Sequence, residues 1–84
     1  MWNDRLRLAA TIEADWAALS PHERDLATAA LERIDDDPIA GVPLFEPLRG
    51  LWSFRAEHLR IVYELVAEAR YVAVLSIARA GDAW

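Results

Sequence analysis

One arginine in the second half of the chain lies where an anion-binding group could do chemistry. Residues 50–55 and 59–66 each alternate apolar and polar side chains, which is typical of the two strands of a β-hairpin. This alternation directs Trp52 and Phe54 into a core and holds Arg60 mid-strand between aliphatic neighbours. A guanidinium is costly to desolvate without a partner, and its planar fork matches a phosphate group. Arg60 is therefore the first candidate for a functional residue.

Other polar residues of the same hairpin extend this candidate site. Ser53 and Arg55 alternate with the aromatic residues and point away from the core. His58 lies in the hairpin loop and has the intrinsic pKa of a proton acceptor near neutral pH, although a loop histidine is commonly only solvated. An ion pair between Arg60 and Glu64 on the same strand face is the alternative to a phosphate site.

The charge of the chain limits the partners it can bind. The formal net charge is -5, and all nine basic residues are arginines. Net acidity opposes non-specific binding of nucleic acid, so a nucleic-acid role requires a local basic patch. Five arginines lie in the last 36 residues, whereas the first 48 residues hold ten of the fourteen acidic residues. This asymmetry favours a C-terminal site on an acidic support.

Length and composition exclude several classes of protein. The 84 residues predict a single domain over residues 1–84. The chain has no cysteine, which excludes disulfides and thiolate zinc sites, and its two histidines are too few to indicate a metal cluster. It has no run of 18 apolar residues and no signal-peptide core. We therefore expect a soluble, cytoplasmic protein without a metal or cofactor.

The first half of the chain predicts two helices. Residues 11–19 carry one apolar stripe behind Thr11, the candidate N-cap. Ser20 at the cap and Glu23 at the third helical position, with proline at the first, form a capping box. This pattern predicts a second helix over 21–34. The three acidic residues and the proline that follow end it, because they oppose the helix dipole and the helical backbone.

The second half predicts strands. Residues 38–49 are a proline-rich connection that we expect Val42, Leu44 and Phe45 to pin. Residues 70–78 are apolar on both faces, which predicts a central strand. With a short alternating segment before the first helix, the predicted order is β-α-α-β-β-β. The side chains expected to be among the most buried are Trp16, Leu19, Leu26, Leu31, Trp52, Phe54, Ile61 and Tyr63.

Three motifs resemble the RelE branch of the RelE/ParE toxin superfamily. They are Gly-Leu-Trp-x-Phe-Arg over 50–55, x-Arg-Ile-Val-Tyr-Glu over 59–64 and Val-Leu-x-Ile-x-Arg over 74–79. The resemblance implies an α+β fold with two N-terminal helices packed on one face of a small antiparallel-rich sheet. It also implies the toxin of a type II toxin-antitoxin system, silenced by a cognate antitoxin. RelE members cut mRNA in the ribosomal A site without a metal, whereas ParE members poison DNA gyrase.

The resemblance also implies roles for individual residues. Arg60 matches the arginine of the family's Tyr-Arg-Ile-Ile-Tyr strand, which contacts the scissile phosphate, and Arg55 matches a basic residue of the preceding strand. Arg79 is similar to the arginine that closes the last strand as a phosphate or leaving-group partner. These three are the predicted catalytic residues. The predicted RNA contacts are Arg49, Ser53, His58 and Trp84.

Two departures from the family pattern leave three functions open. Ser53 stands where the family has a second basic residue, and Trp84 stands near the place of a C-terminal tyrosine. An indole cannot accept a proton, although it can stack on a base. The leading hypothesis is a RelE-like mRNA endoribonuclease that inhibits translation. The alternatives are a ParE-like toxin that binds a protein, DNA gyrase, and a degenerate toxin-fold protein that only pairs with an antitoxin.

Overall fold

Two helices lie against one side of a five-stranded sheet in the computed structural model, which describes residues 6–44, 50–66 and 71–79. The elements are β1 (Leu6–Leu8), α1 (Ile12–Ala17), α2 (Pro21–Asp36), a 3-10 helix (Pro38–Ala40), β2 (Val42–Pro43), β3 (Leu51–Ala56), β4 (Leu59–Val66) and β5 (Tyr71–Arg79). The sheet order is β1-β5-β4-β3-β2. Strand β1 is parallel to β5, and the other neighbours are antiparallel. The predicted α+β class and β-α-α-β-β-β order are confirmed, with β2 added at one edge.

Helix α2 begins at the predicted capping box. The Ser20 hydroxyl accepts a hydrogen bond from the Glu23 backbone N–H at 3.2 Å, and the Glu23 carboxylate accepts one from the Ser20 N–H at 2.9 Å. The helix runs two residues beyond the predicted end at 34, to Asp36. An unfavourable charge near a helix dipole costs only about 0.3–1 kcal/mol, which is too little to stop the last turn. Within the described ranges, no helix is long and apolar enough to cross a membrane.

Helix α1 begins without the predicted cap. Thr11 has a helical backbone, and its side chain makes no capping hydrogen bond. Its hydroxyl instead donates to the carbonyl oxygen of Leu75 at 3.3 Å. The Asp15 carboxylate accepts a hydrogen bond from the backbone N–H of Ile77 at 3.0 Å. These two side chains bind helix α1 to β5. The six residues of α1 are too few for a stable isolated helix, so the helix depends on such contacts.

The core lies between the helices and the sheet. Of the eight side chains expected there, Leu19, Leu31, Ile61 and Tyr63 are buried, and Trp16, Leu26, Trp52 and Phe54 are partly buried against them. The alternation of the hairpin is confirmed, because Phe54 pairs with the buried Ile61. Four aliphatic residues of the internal strands are more completely buried than the two predicted indole side chains: Leu59, Val72, Val74 and Ile77.

A β-bulge in β5 decides which of its side chains face the helices. Val62 pairs with Ser76 but Tyr63 pairs with Val74, so Leu75 is left as an extra residue in β5. The bulge reverses the alternation of side chains beyond it. After Leu75, each side chain of β5 consequently points to the opposite face of the sheet from the face that it would occupy in a regular strand.

Tyr63 holds the connection after α2. Its hydroxyl donates to the carbonyl oxygen of Pro38 at 2.7 Å and accepts from the N–H of Gly41 at 3.2 Å. The prediction that Val42 pins this connection is wrong, because the residue is 64% exposed. Val42 pairs with Ser53 and therefore shares the sheet face that points away from the helices. Phe45 lies outside the described residues.

Replacing Gly41 with alanine should destabilise the fold. A Cβ at this position would lie 2.6 Å from both the Ser53 carbonyl oxygen and the Tyr63 hydroxyl. Relieving such overlap costs about 1–3 kcal/mol in a packed site. Urea unfolding followed by tryptophan fluorescence should show this loss. Val42→Ala, at the adjacent exposed position, is the control and should change the free energy of unfolding by less than about 0.5 kcal/mol.

Candidate functional site

Arg55 and Arg60 lie directly opposite each other on β3 and β4. The neighbours of Arg60 along its strand, Leu59 and Ile61, are fully buried under the helices, so the arginine pair occupies the opposite face of the sheet. Arg55 is exposed and Arg60 is half-buried. Like charges directly opposite each other destabilise a sheet. A phosphate bound across the two guanidinium groups would offset this repulsion, so the pair is suited to binding an anion.

The hairpin turn brings Arg55 and His58 to the end of the sheet. Ala56 pairs with Leu59, so the loop contains only Glu57 and His58. Glu57 adopts a φ of 54°, in the left-handed region that favours glycine. The Nε of Arg55 donates to the Glu57 carbonyl oxygen at 2.8 Å. This hydrogen bond ties the arginine side chain to the turn.

Glu23 is the centre of a second polar group at this end of the sheet. Its side chain accepts from Nη2 and Nε of Arg79 at 2.7 and 3.0 Å, which is a bidentate ion pair. Its Oε2 also lies 2.6 Å from Nε2 of His58. Hydrogen bonds from the backbone N–H of Ser20 and from the side chains of His58 and Arg79 lower the pKa of Glu23 from 4.5 to about 2. The carboxylate is therefore charged at neutral pH and joins α2, the hairpin turn and the end of β5.

Arg79 lies on the helix side of the sheet. It pairs with Leu59, whose side chain is buried in the core. The bulge at Leu75 causes this placement, since a regular strand would have turned Arg79 to the face of Arg55 and Arg60. The three predicted catalytic arginines thus gather at one end of the sheet but do not share a face.

The other predicted site residues have different positions. Ser53 is half-buried on the face of Arg55 and Arg60, paired with Val62. His58 is beside Arg79 through their shared carboxylate. Arg49 and Trp84 lie outside the described residues. The catalytic and RNA-binding roles of all seven residues stay predictions.

The sheet face that carries Arg55 and Arg60 also holds Arg7 and Tyr71 at its other end. The guanidinium of Arg7 lies 5.5 Å from the centre of the Tyr71 ring, a cation-π contact. In contrast, the segment 13–37, which spans the two helices, contains eight acidic residues. In the described residues, the sheet face thus carries three arginines and one exposed glutamate, whereas the helix layer is predominantly acidic.

Sequence reasoning identified Glu23 only as half of a capping box. The two partners of its side chain are 35 and 56 residues away in the chain. A carboxylate can accept about four hydrogen bonds, and a capping box uses only one of them. An acid at the third helical position therefore has acceptor sites left for further partners, and this was the signal in the sequence. The sequence does not show which residues will be those partners.

The low pKa of Glu23 predicts a loss of stability in acid. Its folded-state pKa lies below its ordinary value, so its contribution is complete above about pH 4.5 and is lost as the pH falls towards 2. In Glu23→Gln, the free energy of unfolding should therefore vary less between pH 4.5 and 2 than in the unmutated chain. Urea titrations at several pH values measure this slope. An unchanged slope would mean that the ion pairs do not persist in solution.

Comparison with known proteins identifies solved structures with a similar fold. No protein-family model matches the sequence, and no curated protein matches it. Among solved structures, the RelBE2 toxin-antitoxin complex from Mycobacterium tuberculosis matches with a TM-score of 0.81 and 25% identity, over 88% of this chain and 94% of that one. The YoeB/ParE toxin from Agrobacterium tumefaciens has the same fold, with a TM-score of 0.74 and 19% identity over 89% and 96% of the chains. The intact E. coli RelBE complex gives 0.73 and 19% over 89% and 94%. The chain has the fold of the RelE/ParE toxin superfamily, and its sequence motifs resemble those of that superfamily.

Proposed function

We propose that this protein is the toxin of a type II toxin-antitoxin system and acts in the cytoplasm as a RelE-like, ribosome-dependent mRNA endoribonuclease. The observation that carries the proposal is the direct pairing of Arg55 and Arg60 on the sheet face opposite the helices. Two of the similar structures are toxin-antitoxin complexes, which supports the toxin role and a cognate antitoxin as partner. The acidity of the chain does not oppose this role, because it is concentrated in the helix layer.

The proposed reaction is attack by a ribose 2′-oxygen on the adjacent phosphorus. An O2′–P bond forms, the P–O5′ bond breaks, and negative charge increases on the non-bridging phosphate oxygens. The guanidinium groups of Arg55 and Arg60 can donate to these oxygens as two-pronged, charge-assisted partners. They cannot take the 2′-hydroxyl proton, because arginine stays protonated at physiological pH. The reaction therefore needs a separate proton acceptor.

An apolar cavity supports the proposal of an antitoxin partner. It has a volume of about 540 Å³ and lies between β1 and the helices, lined in part by Leu8, Ile12, Trp16 and Leu31. Leu8 is 52% exposed on β1, which is an edge strand of the sheet. An apolar groove beside an edge strand can accept either a helix or an added strand. We propose that a segment of the antitoxin covers it.

A ParE-like action on DNA gyrase is the second candidate, favoured by one observation. Of the three predicted catalytic arginines, only Arg55 and Arg60 share a sheet face, because Glu23 binds Arg79 on the helix side. Two assays on the purified chain separate the candidates. The nuclease proposal expects cleavage of mRNA on programmed ribosomes and normal supercoiling by gyrase. Inhibited supercoiling without cleavage would favour the ParE-like candidate, and inactivity in both assays would favour the degenerate protein.

A further inference from the structure

We infer that Glu23 is a positioning residue for RNA cleavage, which holds His58 as the proton acceptor and Arg79 as an additional phosphate-binding group. The inference rests on the proposed nuclease function. The Glu23 side chain is only 8% exposed, and its two oxygens contact both residues at 2.6–3.0 Å. A carboxylate that binds both a histidine and an arginine at one end of the sheet has a role beyond capping the helix.

The bond to Glu23 determines which nitrogen of His58 can accept a proton. A charged carboxylate can only accept hydrogen bonds, so Nε2 of His58 must carry the proton that faces it. In the neutral imidazole, Nδ1 is then the acceptor. The His58 side chain is 50% exposed, which leaves the ring accessible from outside the protein. A carboxylate that fixes the tautomer of a histidine is the arrangement found behind general bases.

Glu23 also fixes how Arg79 presents its remaining donors. The Nε and Nη2 groups bind the carboxylate, and Nη2 also donates to the carbonyl oxygen of Ala18 at 3.3 Å. Nη1 makes neither of these contacts. The backbone of Arg79 is one residue beyond Ala78, the partner of Arg60 across β4 and β5. Arg79 and Arg60 are therefore close along the sheet but lie on its two faces, and we place the phosphate at the sheet end, between them.

In this arrangement His58 acts as the general base for attack by the 2′-oxygen. The proton of the 2′-hydroxyl passes to Nδ1 of His58 as O2′ bonds to phosphorus. The P–O5′ bond breaks, and O5′ takes a proton from solvent. The resulting imidazolium is stabilised by the Glu23 carboxylate and later returns its proton to solvent.

Single-turnover cleavage of mRNA on programmed ribosomes tests the inference with two variants of the same capping box. Glu23→Gln keeps the shape of the side chain but removes its charge, and should lower the cleavage rate at saturating ribosomes about 10²-fold, within the range for a misplaced general base. The ribosome concentration at half-maximal rate should change less than twofold. Ser20→Ala, the control, removes the other half of the capping box without touching His58 or Arg79 and should keep the rate within twofold.

Combining substitutions distinguishes positioning from general damage. If Glu23 acts through His58, the double variant Glu23→Gln/His58→Ala should be about as slow as the slower single variant, because the two residues act as a unit. The inference would be overturned if the loss in the double variant equalled the product of the two single losses. It would also be overturned if Glu23→Gln kept the unmutated rate, or if Ser20→Ala lost as much activity as Glu23→Gln. If Glu23→Gln fails to fold, His58→Ala decides alone, and an unmutated rate in that variant overturns it. An unmutated chain that does not cleave would overturn the proposed function as well.

Discussion

Arg60→Ala should lower cleavage of mRNA on programmed ribosomes by about 10²–10³-fold, the loss that follows removal of one preorganised donor to a developing oxyanion. Arg60 lies opposite Arg55 and away from the core, so the substitution removes charge from the proposed phosphate site without opening a cavity among buried apolar residues. The free energy of unfolding should change by less than about 1 kcal/mol. Single-turnover cleavage and urea unfolding of the same preparation measure both quantities.

Two further variants test why Arg60 matters. Arg60→Lys should recover only part of the rate, because one ammonium cannot make the two-pronged contact of a guanidinium. Arg33→Ala removes the same charge from the exposed surface of α2 and should leave cleavage unchanged. An equal loss in Arg33→Ala would mean that overall charge controls binding to the ribosome. Full activity of Arg60→Ala would exclude a phosphate contact by this residue.

The position of Arg60 could be predicted from sequence because it depends on local alternation. Within the hairpin every second side chain shares a face, and the aromatic residues Trp52 and Phe54 mark which face is apolar. The structure confirms this register, with Phe54 opposite Ile61 and Arg55 opposite Arg60. The capping box at Ser20 was readable for the same reason, since its two partners are three residues apart.

The position of Arg79 could not be predicted in this way. The bulge at Leu75 depends on how β5 pairs with β4, which no local pattern in residues 70–78 reveals. One extra residue transfers Arg79 from the face of Arg60 to the side of the helices. The contact with Glu23 then joins residues that are 56 positions apart. Long-range pairing and one irregular position therefore decide the part of the site that sequence reasoning missed.

The ion pair makes a second large effect expected in Arg79→Ala. Cleavage should fall about 10²-fold or more if the guanidinium contacts the phosphate. In contrast to Arg60→Ala, this substitution should also lower the melting temperature, because it removes the arginine that pairs with the nearly buried Glu23 carboxylate and leaves the imidazole of His58 as the other side-chain partner. Loss of activity in this variant alone would therefore not separate a role in RNA cleavage from a role in folding.

The double variant Glu23→Gln/Arg79→Ala separates the two roles. Replacing the carboxylate with a neutral amide removes the buried charge that Arg79→Ala leaves behind, so the melting temperature should recover relative to Arg79→Ala. Cleavage should not recover, because neither the phosphate donor nor the charge that orients His58 is restored. Thermal unfolding and single-turnover cleavage of the four proteins in this cycle are the measurements. Recovery of cleavage together with stability would show that Arg79 serves the fold only, which would leave Arg55 and Arg60 as the phosphate-binding pair.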